Sequence, residues 1–393
     1  MSKEGLSQKE LYIGREQSLV KHRILQKYLQ RFALIIGFKW DTITYVDCFS
    51  GPWNVQSDDL RDSSFSIALA ELQSARAQHG IRGKSVKLRC LFLEESPTAY
   101  AKLKEFADNA KNAVVETRNC ELKDAINDVI AFVRSGGAHS FPFIFIDPTG
   151  WTGFAMDEIA PLLQLDPGEV LINFMTGHIN RFIESPQTQT QDSFIRLFGD
   201  ASFKESLEGL SKRDREDAIV TKYVENLAKT GKFSFTSKAI VLHPKYDRTH
   251  FHLIYATRHP KGIEVFKDVE EKAMEEMQHV RAEAHKRKTD KKTFQSELFE
   301  PEVLHQSKYF DELRDRYLKM AKKMVLQLLS EKGRILYDNV WATAFREPLV
   351  WKNDLRDWIT DWRKEGNLAI EGMKPRQRVP KLGENNYLVW LRK

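Results

Sequence analysis

The chain has 393 residues, of which 41% are apolar and 30% are charged, and a formal net charge of +6. This length accommodates two or three domains of roughly 100–200 residues each, and the apolar content excludes disorder for most of the chain. No apolar run reaches the ~18–20 residues of a membrane span, and no signal-peptide stretch opens the sequence. We therefore expect a soluble, cytoplasmic protein. The three cysteines, Cys48, Cys90 and Cys120, lack CxxC spacing, so neither a disulfide framework nor a metal site is expected.

Charge is distributed unevenly along the chain. Residues 331–393 contain thirteen Lys or Arg against nine Asp or Glu, together with five of the eight tryptophans. A mildly basic balance by itself is weak support for a nucleic-acid partner. The composition nevertheless separates this tail from the preceding residues.

Hydrophobic periodicity predicts an α/β domain in residues 1–294. An amphipathic helix over 17–36 comes first, with apolar residues at intervals of about 3.6. The apolar runs that predict strands lie at 43–46, 88–93, 113–115, 143–146, 170–174, 238–242 and 252–257. The helical stretches between them cover 66–78, 97–109, 122–134, 193–198 and 213–230. This alternation predicts a doubly wound, mostly parallel seven-stranded sheet, whose last two strands pair antiparallel at one edge.

The remaining residues, 295–393, predict a second domain. Before this domain, residues 268–287 have a helical pattern, and a charged break follows at 285–292. Three helical stretches follow at 309–329, 335–345 and 349–364, then two short strands at 368–370 and 387–390 with a basic turn between them. Three helices and a β-ribbon are the outline of a winged helix.

The first predicted strand ends in a carboxylate and a tight turn. After Asp47 and Cys48 come Phe49, Ser50, Gly51 and Pro52. Ligands of doubly wound sheets bind outside the carboxyl ends of the strands, and a buried unpaired carboxylate is costly. We therefore interpret Asp47 as the partner of an amino group on a ligand, the alternative being an ordinary strand-end cap.

The next strands also end in polar residues. Glu94 and Glu95 follow the second strand, where an acid suits ribose hydroxyls, although either residue could instead cap the next helix. Asn119 and Cys120 follow the third run and are predicted to contact an adenine edge, the alternative being a plain turn. Four successive strands that bring polar groups to one edge are typical of a nucleoside cofactor.

The fourth strand leads into Asp147, Pro148 and, after Thr149 and Gly150, Trp151. The chain contains neither G-x-G-x-x-G nor a P-loop, so a cofactor without phosphates fits better than a dinucleotide. S-adenosylmethionine is such a cofactor. A dinucleotide-dependent oxidoreductase is a distant alternative.

These motifs resemble the three-Cys-motif partner family of predicted S-adenosylmethionine-dependent methyltransferases. The matching segments cover nearly the whole chain: Lys21-His22, Asp47 to Pro52, Ser63-Ser64-Phe65, Glu94, Asp147 to Gly150, Tyr255 to Gly262 and Phe294 to Phe299. The segment Arg258 to Gly262 is the most specific. Trp53 stands where methyltransferases often have a second glycine, and Ser63-Ser64-Phe65 replaces a G-S-P type segment. The resemblance implies a methyltransferase with a C-terminal winged helix and a partner protein encoded nearby.

The turn after strand four indicates the reaction. Amino-methyltransferases hold an exocyclic amine with an Asp-Pro-x-aromatic turn, and here the aromatic residue lies one position later. Asp147 would orient the attacking nitrogen, Pro148 shapes the turn, and Trp151 would stack on the base. Because the leaving group of methyl transfer is a neutral thioether, proximity and alignment dominate and no catalytic triad is expected.

Substrate contacts are predicted at basic residues. Lys21 and His22 lie on the polar side of the first helix, over the cofactor or simply in solvent, and Arg258 and His259 follow the last strand of the sheet, in a phosphate contact or a salt-bridged loop. In the tail, the predicted nucleic-acid contacts are Lys352, Arg356, Arg376 and Arg378. We expect a methyltransferase that acts on an amino nitrogen of DNA or RNA. The alternative is an inactive methyltransferase-like module that binds nucleic acid or a protein partner.

Overall fold

A computed structural model describes residues 9–52, 55–293 and 307–391 of the chain, with side chains described up to residue 287 in the second range. Contacts divide the chain into two compact units. One unit comprises Met1–Ser234 and Val241–Arg258, and the other comprises Phe235–Ile240 and His259–Lys393. The predicted boundary after residue 294 lies outside the described residues and stays a prediction. No helix among the described residues is long and apolar enough to span a membrane.

The strands of a seven-stranded mixed sheet belong to the first unit, except for Phe235–Ile240 of its edge strand, which are part of the second unit. The strands of this sheet are β1 (Thr42–Asp47), β2 (Lys87–Leu93), β3 (Val114–Arg118), β4 (Ser140–Ile146), β5 (Glu169–Phe174), β6 (Phe235–Leu242) and β7 (Thr249–Thr257), and their order is β3-β2-β1-β4-β5-β7-β6. The first five strands pair in parallel, and β7 is antiparallel to β5. This order is consistent with a methyltransferase-like fold.

Burial on both faces explains why the strands read as continuous apolar runs. Every residue of β1 and β5 is buried, and Val46 pairs with Leu91 on one side and Ile144 on the other. The helices of this unit are α1 (Glu16–Lys39), α2 (Ser64–Ile81), α3 (Pro97–Asp108), α4 (Leu122–Arg134), α5 (Met156–Leu163), α6 (Thr176–Phe182), α7 (Thr188–Phe198) and α8 (Lys212–Gly231). The predicted mostly parallel sheet is confirmed, whereas α5 and α6 were not predicted.

Helix α1 is fixed at both edges of the sheet. At the amino edge, the Tyr28 hydroxyl donates to Glu169 at 2.7 Å, and at the carboxyl edge Lys21 Nζ donates to Asp147 at 2.5 Å. Glu169 is buried and also accepts from the Thr257 hydroxyl at 3.0 Å. Helix α1 therefore runs from the carboxyl edge to the amino edge, with its first turns beside the strand ends.

The second unit contains four helices and a small antiparallel sheet among its described residues. Its elements are α9 (Pro260–Thr293), α10 (Lys308–Lys332), β8 (Arg334–Leu336), α11 (Tyr337–Ala344), α12 (Lys352–Lys364), β9 (Leu368–Glu371) and β10 (Tyr387–Trp390), with strand order β8-β10-β9. The prediction of a helix from residue 335 was wrong at its start, because Ile335 pairs with Leu388 in a strand. Strand β8 has only three residues, which is too short to show the alternation of apolar and polar residues that predicts a strand from sequence.

Candidate functional site

A cavity of about 410 Å³ lies at the carboxyl edge of the sheet. This volume lies within the ~300–1,000 Å³ range of small-molecule sites. Seven residues predicted for the cofactor or the reaction line it: Phe49, Glu94, Glu95, Cys120, Asp147, Pro148 and Trp151. The structure thus brings together residues from four strand ends that are separated by up to about a hundred positions in sequence.

Asp147 connects three elements at this edge. Its Oδ2 accepts a hydrogen bond from Lys21 Nζ of α1 at 2.5 Å, and its Oδ1 accepts from Asn173 Nδ2 of β5 at 2.7 Å. The Lys21 and Asp147 side chains are 13% and 10% exposed, so the ion pair is largely screened from water. The carboxylate is therefore held in one orientation beside the cavity. Each carboxylate oxygen can accept a further hydrogen bond, which leaves Asp147 able to receive an N–H group.

Asp47, in contrast, is directed into the protein. It is fully buried, accepts hydrogen bonds from the Ser64 hydroxyl at 2.7 Å and from the backbone N–H of Phe49 at 3.1 Å, and does not line the cavity. These contacts fix the turn after β1 to the first residue of α2. Asp47 therefore does not reach the cavity, where the predicted contact with a ligand amino group would have to form, and the capping alternative describes its hydrogen bonds.

The turn itself is tied to the sheet rather than open to a ligand. The backbone N–H of Ser50 donates to Leu93 O at 2.7 Å, and its hydroxyl donates to Asp47 O at 2.9 Å. Gly51 and Pro52 are half-buried, and Pro52 lines a second cavity, of about 890 Å³, beside α2 and α3. Trp53 lies outside the described residues. The N–H groups of Phe49 and Ser50 serve internal bonds and are therefore not directed at a pyrophosphate.

Burial raises the pKa of Asp47 to about 6, and the neighbouring Asp147 charge adds to this effect against the opposing Ser64 hydrogen bond. Because the folded protein binds this proton more tightly than the unfolded chain does, protonated Asp47 contributes stability that is fully present at pH values below 3.8, the ordinary pKa of the group. This contribution is lost as the pH rises through about 6. We expect the free energy of unfolding of the wild type, relative to Asp47→Asn, to fall by about 2–3 kcal/mol between pH 4 and pH 7. Urea titrations across this range measure the difference. The exposed Asp108→Asn is the control, and a difference independent of pH would contradict the expectation.

The acids after β2 differ in their environment. Glu94 is 3% exposed, and its Oε1 accepts from the backbone N–H of Ser96 at 2.7 Å, while Glu95 is exposed. Ser96 caps α3, so neither Glu94 nor Glu95 supplies the cap that the alternative placed on them. Asn119 is exposed and lies outside the cavity lining, because its Nδ2 donates to Glu94 O at 2.8 Å and to Glu95 O at 3.0 Å. Asn119 therefore stabilises the turn after β2.

Two further predicted residues that line the cavity are Cys120 and Trp151. Burial, followed by Asp124 and Asp128, raises the pKa of the Cys120 thiol, which keeps this thiol protonated near neutral pH. The Trp151 ring stacks on Phe194 at a centroid distance of 5.4 Å, and its Nε1 donates to the Ser193 hydroxyl at 3.0 Å. Trp151 is therefore held rigidly against α7, with part of the ring at the cavity wall.

His22 does not reach the cavity. Its Nδ1 lies 2.8 Å from the Tyr12 hydroxyl, and burial together with Lys21 and Arg15 lowers its pKa well below the usual value. His22 is therefore neutral and packs in the interior, unlike its neighbour Lys21. Arg15, which was not predicted, forms an ion pair with the buried Asp62.

Arg258 and His259 are not at the active edge, which corrects the predicted position. They follow β7, and because β7 is antiparallel to β5 its last residues lie at the amino edge of the parallel strands. The Arg258 guanidinium donates to four backbone carbonyls, those of Leu163, Leu165, Gly168 and Gly231, at 2.6–3.3 Å. It also lies over the Phe233 ring at 4.5 Å. Its donors thus stabilise loops at the opposite edge from the cavity.

The basic residues predicted in the tail lie in the second unit. Lys352 pairs with Glu264 at 2.8 Å and with Asp268 at 2.9 Å, and Arg356 pairs with Asp357 at 3.2 Å. Lys352, Arg356 and Arg378 line a cavity of about 530 Å³. Arg376 is exposed in a turn with a φ of 68° and does not line that cavity.

Carboxylates outnumber cations around the cavity at the sheet edge. Five acids line it, Glu94, Glu95, Glu121, Asp147 and Glu158, against two bases, Lys123 and Arg196. Lys123 pairs with Glu121 at 2.7 Å, and Arg196 pairs with Glu158. The cavity therefore favours a cationic ligand over an anionic one. Among the described residues, no group of three or more His, Cys, Asp or Glu could hold a metal ion.

Sequence reasoning missed two residues of this site. Asn173, the donor to Asp147, lies near the end of a buried apolar strand, where one polar residue in a continuous apolar run is a usable signal. Ser64, the donor to Asp47, lies in the segment that departs from the family pattern. Its role is visible only from a contact between residues 17 positions apart.

Comparisons with known proteins add little to this picture. No family model matches the chain, and no curated protein matches it. A solved Legionella pneumophila protein of the DUF519 family aligns with a TM-score of 0.37 at 11% identity, over 62% of this chain and 88% of that chain. A loganic acid methyltransferase solved with SAH aligns with a TM-score of 0.31 at 9% identity, over 79% of this chain and 92% of that chain. The resemblance to the three-Cys-motif partner family stays a prediction.

Proposed function

We propose that the chain is an S-adenosylmethionine-dependent methyltransferase that acts on an amino nitrogen of a nucleic acid. The observation that carries this proposal is the oriented carboxylate of Asp147 at the wall of an acidic cavity, at the carboxyl edge of a methyltransferase-like sheet. Ligands of doubly wound sheets bind at this edge.

The residues present fit this cofactor. S-adenosylmethionine carries a sulfonium and an ammonium group but no phosphate, which suits a cavity with excess carboxylates and a turn whose N–H groups serve internal bonds. Glu94, at the end of β2, would hold the ribose hydroxyls, and Cys120 would contact the base. When bound, the cofactor supplies an electrophilic methyl group.

The chain's own residues orient the methyl acceptor. Asp147 would accept a hydrogen bond from the substrate amine and stabilise the positive charge that develops on its nitrogen. Lys21 and Asn173 fix the carboxylate through one hydrogen bond to each oxygen. Trp151 provides a rigid aromatic wall for a planar base.

The second unit supports a nucleic-acid substrate. From α10 onward its described elements follow the order helix, strand, helix, helix, strand, strand, with β10 between β8 and β9. This order supports the winged-helix interpretation, in which α12 and the segment between β9 and β10 contact the nucleic acid. Arg356 and Arg378 lie on these two elements and line one cavity.

Cofactor binding is tested by titration calorimetry with S-adenosylmethionine and S-adenosylhomocysteine. We expect binding by the wild type and a roughly 10- to 100-fold weaker affinity for Glu94→Gln, because a hydrogen bond to a charged group contributes about 1.5–3 kcal/mol. The exposed Glu105→Gln on α3 is the matched control and should bind like the wild type. Absence of binding by a folded wild type would refute the proposed function.

A catalytically inactive, methyltransferase-like binding module is the second candidate. Both Asp147 oxygens are already engaged by Lys21 and Asn173, which favours a structural role for this carboxylate. Such a module would bind nucleic acid or a protein partner without incorporating labelled methyl groups. Methyl incorporation that depends on Asp147 excludes this candidate.

A further inference from the structure

Helix α6 and the connection between β6 and β7 lie near Asp147 and do not line the cofactor cavity. Helix α6 follows β5 directly, and residues 243–248 connect β6 to β7, which begins at Thr249. Because Phe174, the last residue of β5, pairs with His252 near the start of β7, this connection lies at the carboxyl edge, the same edge as Asp147. Both segments therefore face the region from which a methyl acceptor would approach.

Close packing holds the two segments together. A Cβ on Gly177 would lie 2.9 Å from His250 O and 3.4 Å from Thr249 O, so only glycine allows α6 to approach β7 this closely. The Thr176 hydroxyl lies 2.7 Å from Nδ1 of the buried His252. Helix α6 is thus fixed against the start of β7 rather than standing apart from it.

The surface formed by these segments is basic. We define the basic surface as His178, Arg181, His243, Lys245, Arg248 and His250. Arg181, Lys245 and Arg248 are exposed and the three histidines are partly exposed, while Asp247 is the acid among residues 176–182 and 243–250. The His243 ring lies 5.6 Å from that of His250 and 4.8 Å from that of Tyr246, which is 52% exposed.

The cations of this surface, Arg181, Lys245 and Arg248, act on a common region in which His178 and His250 are neutral near neutral pH. Burial lowers the pKa of His250 to about 4, and the neighbouring His243, His178, Arg248 and Lys21 add to this effect. Burial also lowers the pKa of His178, with contributions from Arg181 and Arg248. The side chains of α1, α6 and the β6–β7 connection therefore raise the local potential together, next to the Lys21–Asp147 pair.

We propose that the basic surface binds the phosphodiester backbone of a single-stranded nucleic acid whose target base is presented to Asp147. The inference rests on the proposed function, because it names the substrate that this same site takes. Clustered cations attract a polyanion, and Tyr246 offers an aromatic ring for stacking. We infer a single strand because a base in a duplex reaches a cavity wall only after it is flipped out of the stack, at an energetic cost that an unpaired base avoids.

The test measures binding of fluorescein-labelled 20-nucleotide single strands of DNA and RNA by anisotropy, at several salt concentrations. We expect Arg181→Ala/Arg248→Ala to weaken binding on the order of tenfold and to reduce the slope of log K against log salt by about 1.4, which corresponds to two lost phosphate contacts. Lys102→Ala/Lys104→Ala, on exposed positions of α3, is the matched control and should bind like the wild type. Thermal unfolding of each variant verifies that the fold is intact.

The outcomes separate this inference from the cofactor proposal. Wild-type affinity and salt slope in the Arg181→Ala/Arg248→Ala variant would overturn the inference, as would a loss confined to Arg356→Ala/Arg378→Ala in the second unit. Stronger binding to a duplex than to a single strand would also overturn it. S-adenosylhomocysteine binding is measured on the same proteins, so a failure of the cofactor proposal is detected independently of strand binding.

Discussion

Asp147→Asn is expected to lower the rate of methyl transfer by about two to four orders of magnitude, while the affinity for S-adenosylhomocysteine stays within about threefold of wild type. Attack by a neutral amine places positive charge on its nitrogen, and the carboxylate stabilises that charge. The asparagine keeps the size of the side chain but leaves Lys21 without its partner 2.5 Å away. The Lys21 ammonium would then oppose the developing charge.

The assay follows labelled methyl groups from S-adenosylmethionine into total RNA and genomic DNA. Asp157→Asn is the matched control, because it is an exposed acid on α5 outside the cavity lining. Lys21→Met should lower the rate less than Asp147→Asn does. Because the two residues act through one ion pair, the rate loss of the double variant should be smaller than the product of the two single losses. A rate within threefold of wild type for Asp147→Asn would exclude its proposed role.

The sheet was predictable from sequence because its strands are buried on both faces. The continuous apolar runs at β2, β4 and β5 have few other interpretations in a chain where they alternate with helical periodicity. Helices α5 and α6 have eight and seven residues, and α5 contains Pro161, so neither presents enough turns to establish a period. Local pattern therefore yields the long elements and misses the short ones.

The position of Arg258 shows a different limit. The short connection after β6 predicts that β7 reverses direction, and a reversed strand ends at the opposite edge of the sheet from its parallel neighbours. The predicted position of Arg258 at the active edge rested on the residue type and the loop, without the reversal of β7. A topological step that is available from sequence would have placed Arg258 correctly.

The contacts of the candidate site are the least predictable part. Lys21 and Asp147 are 126 positions apart, and nothing in either segment specifies their pairing before the helix is placed across the sheet. Asp47 shows the reverse case, since a strand-end acid that looks like a ligand contact accepts its hydrogen bonds from Ser64 and from the backbone N–H of Phe49. Residue type and position in the fold were readable from sequence, whereas the direction of the side chain was not.

The second large effect is expected on stability, in the second unit. Glu347 accepts hydrogen bonds from Lys238 Nζ at 3.0 and 2.9 Å, and the two side chains are 3% and 4% exposed. Nearby, the buried Lys267 pairs with Glu270 at 2.5 Å and donates to the backbone carbonyl of Glu347 at 2.8 Å. The Lys267 and Glu270 side chains are 1% and 0% exposed, and this burial lowers the pKa of Lys267 and raises that of Glu270.

Glu347→Ala is expected to destabilise the protein by about 3–5 kcal/mol, because it leaves the Lys238 ammonium buried without its counterion. Denaturant titration followed by circular dichroism measures the effect. Glu384→Ala removes the partner of Lys374 in a pair whose side chains are 69% and 26% exposed, and it should cost under about 1 kcal/mol. Equal losses in the two variants would show that the Lys238–Glu347 pair is not desolvated in solution.

A double variant separates the loss of an attraction from the cost of an unpaired charge. Lys238→Met/Glu347→Leu replaces both charges with apolar side chains of similar length, and buried ion pairs replaced in this way often lose no stability. We expect the double variant to unfold at a higher denaturant concentration than Glu347→Ala, despite carrying one more substitution. If it were the less stable of the two, the favourable interaction between the charges, rather than the penalty for isolating Lys238, would account for the stability of this unit.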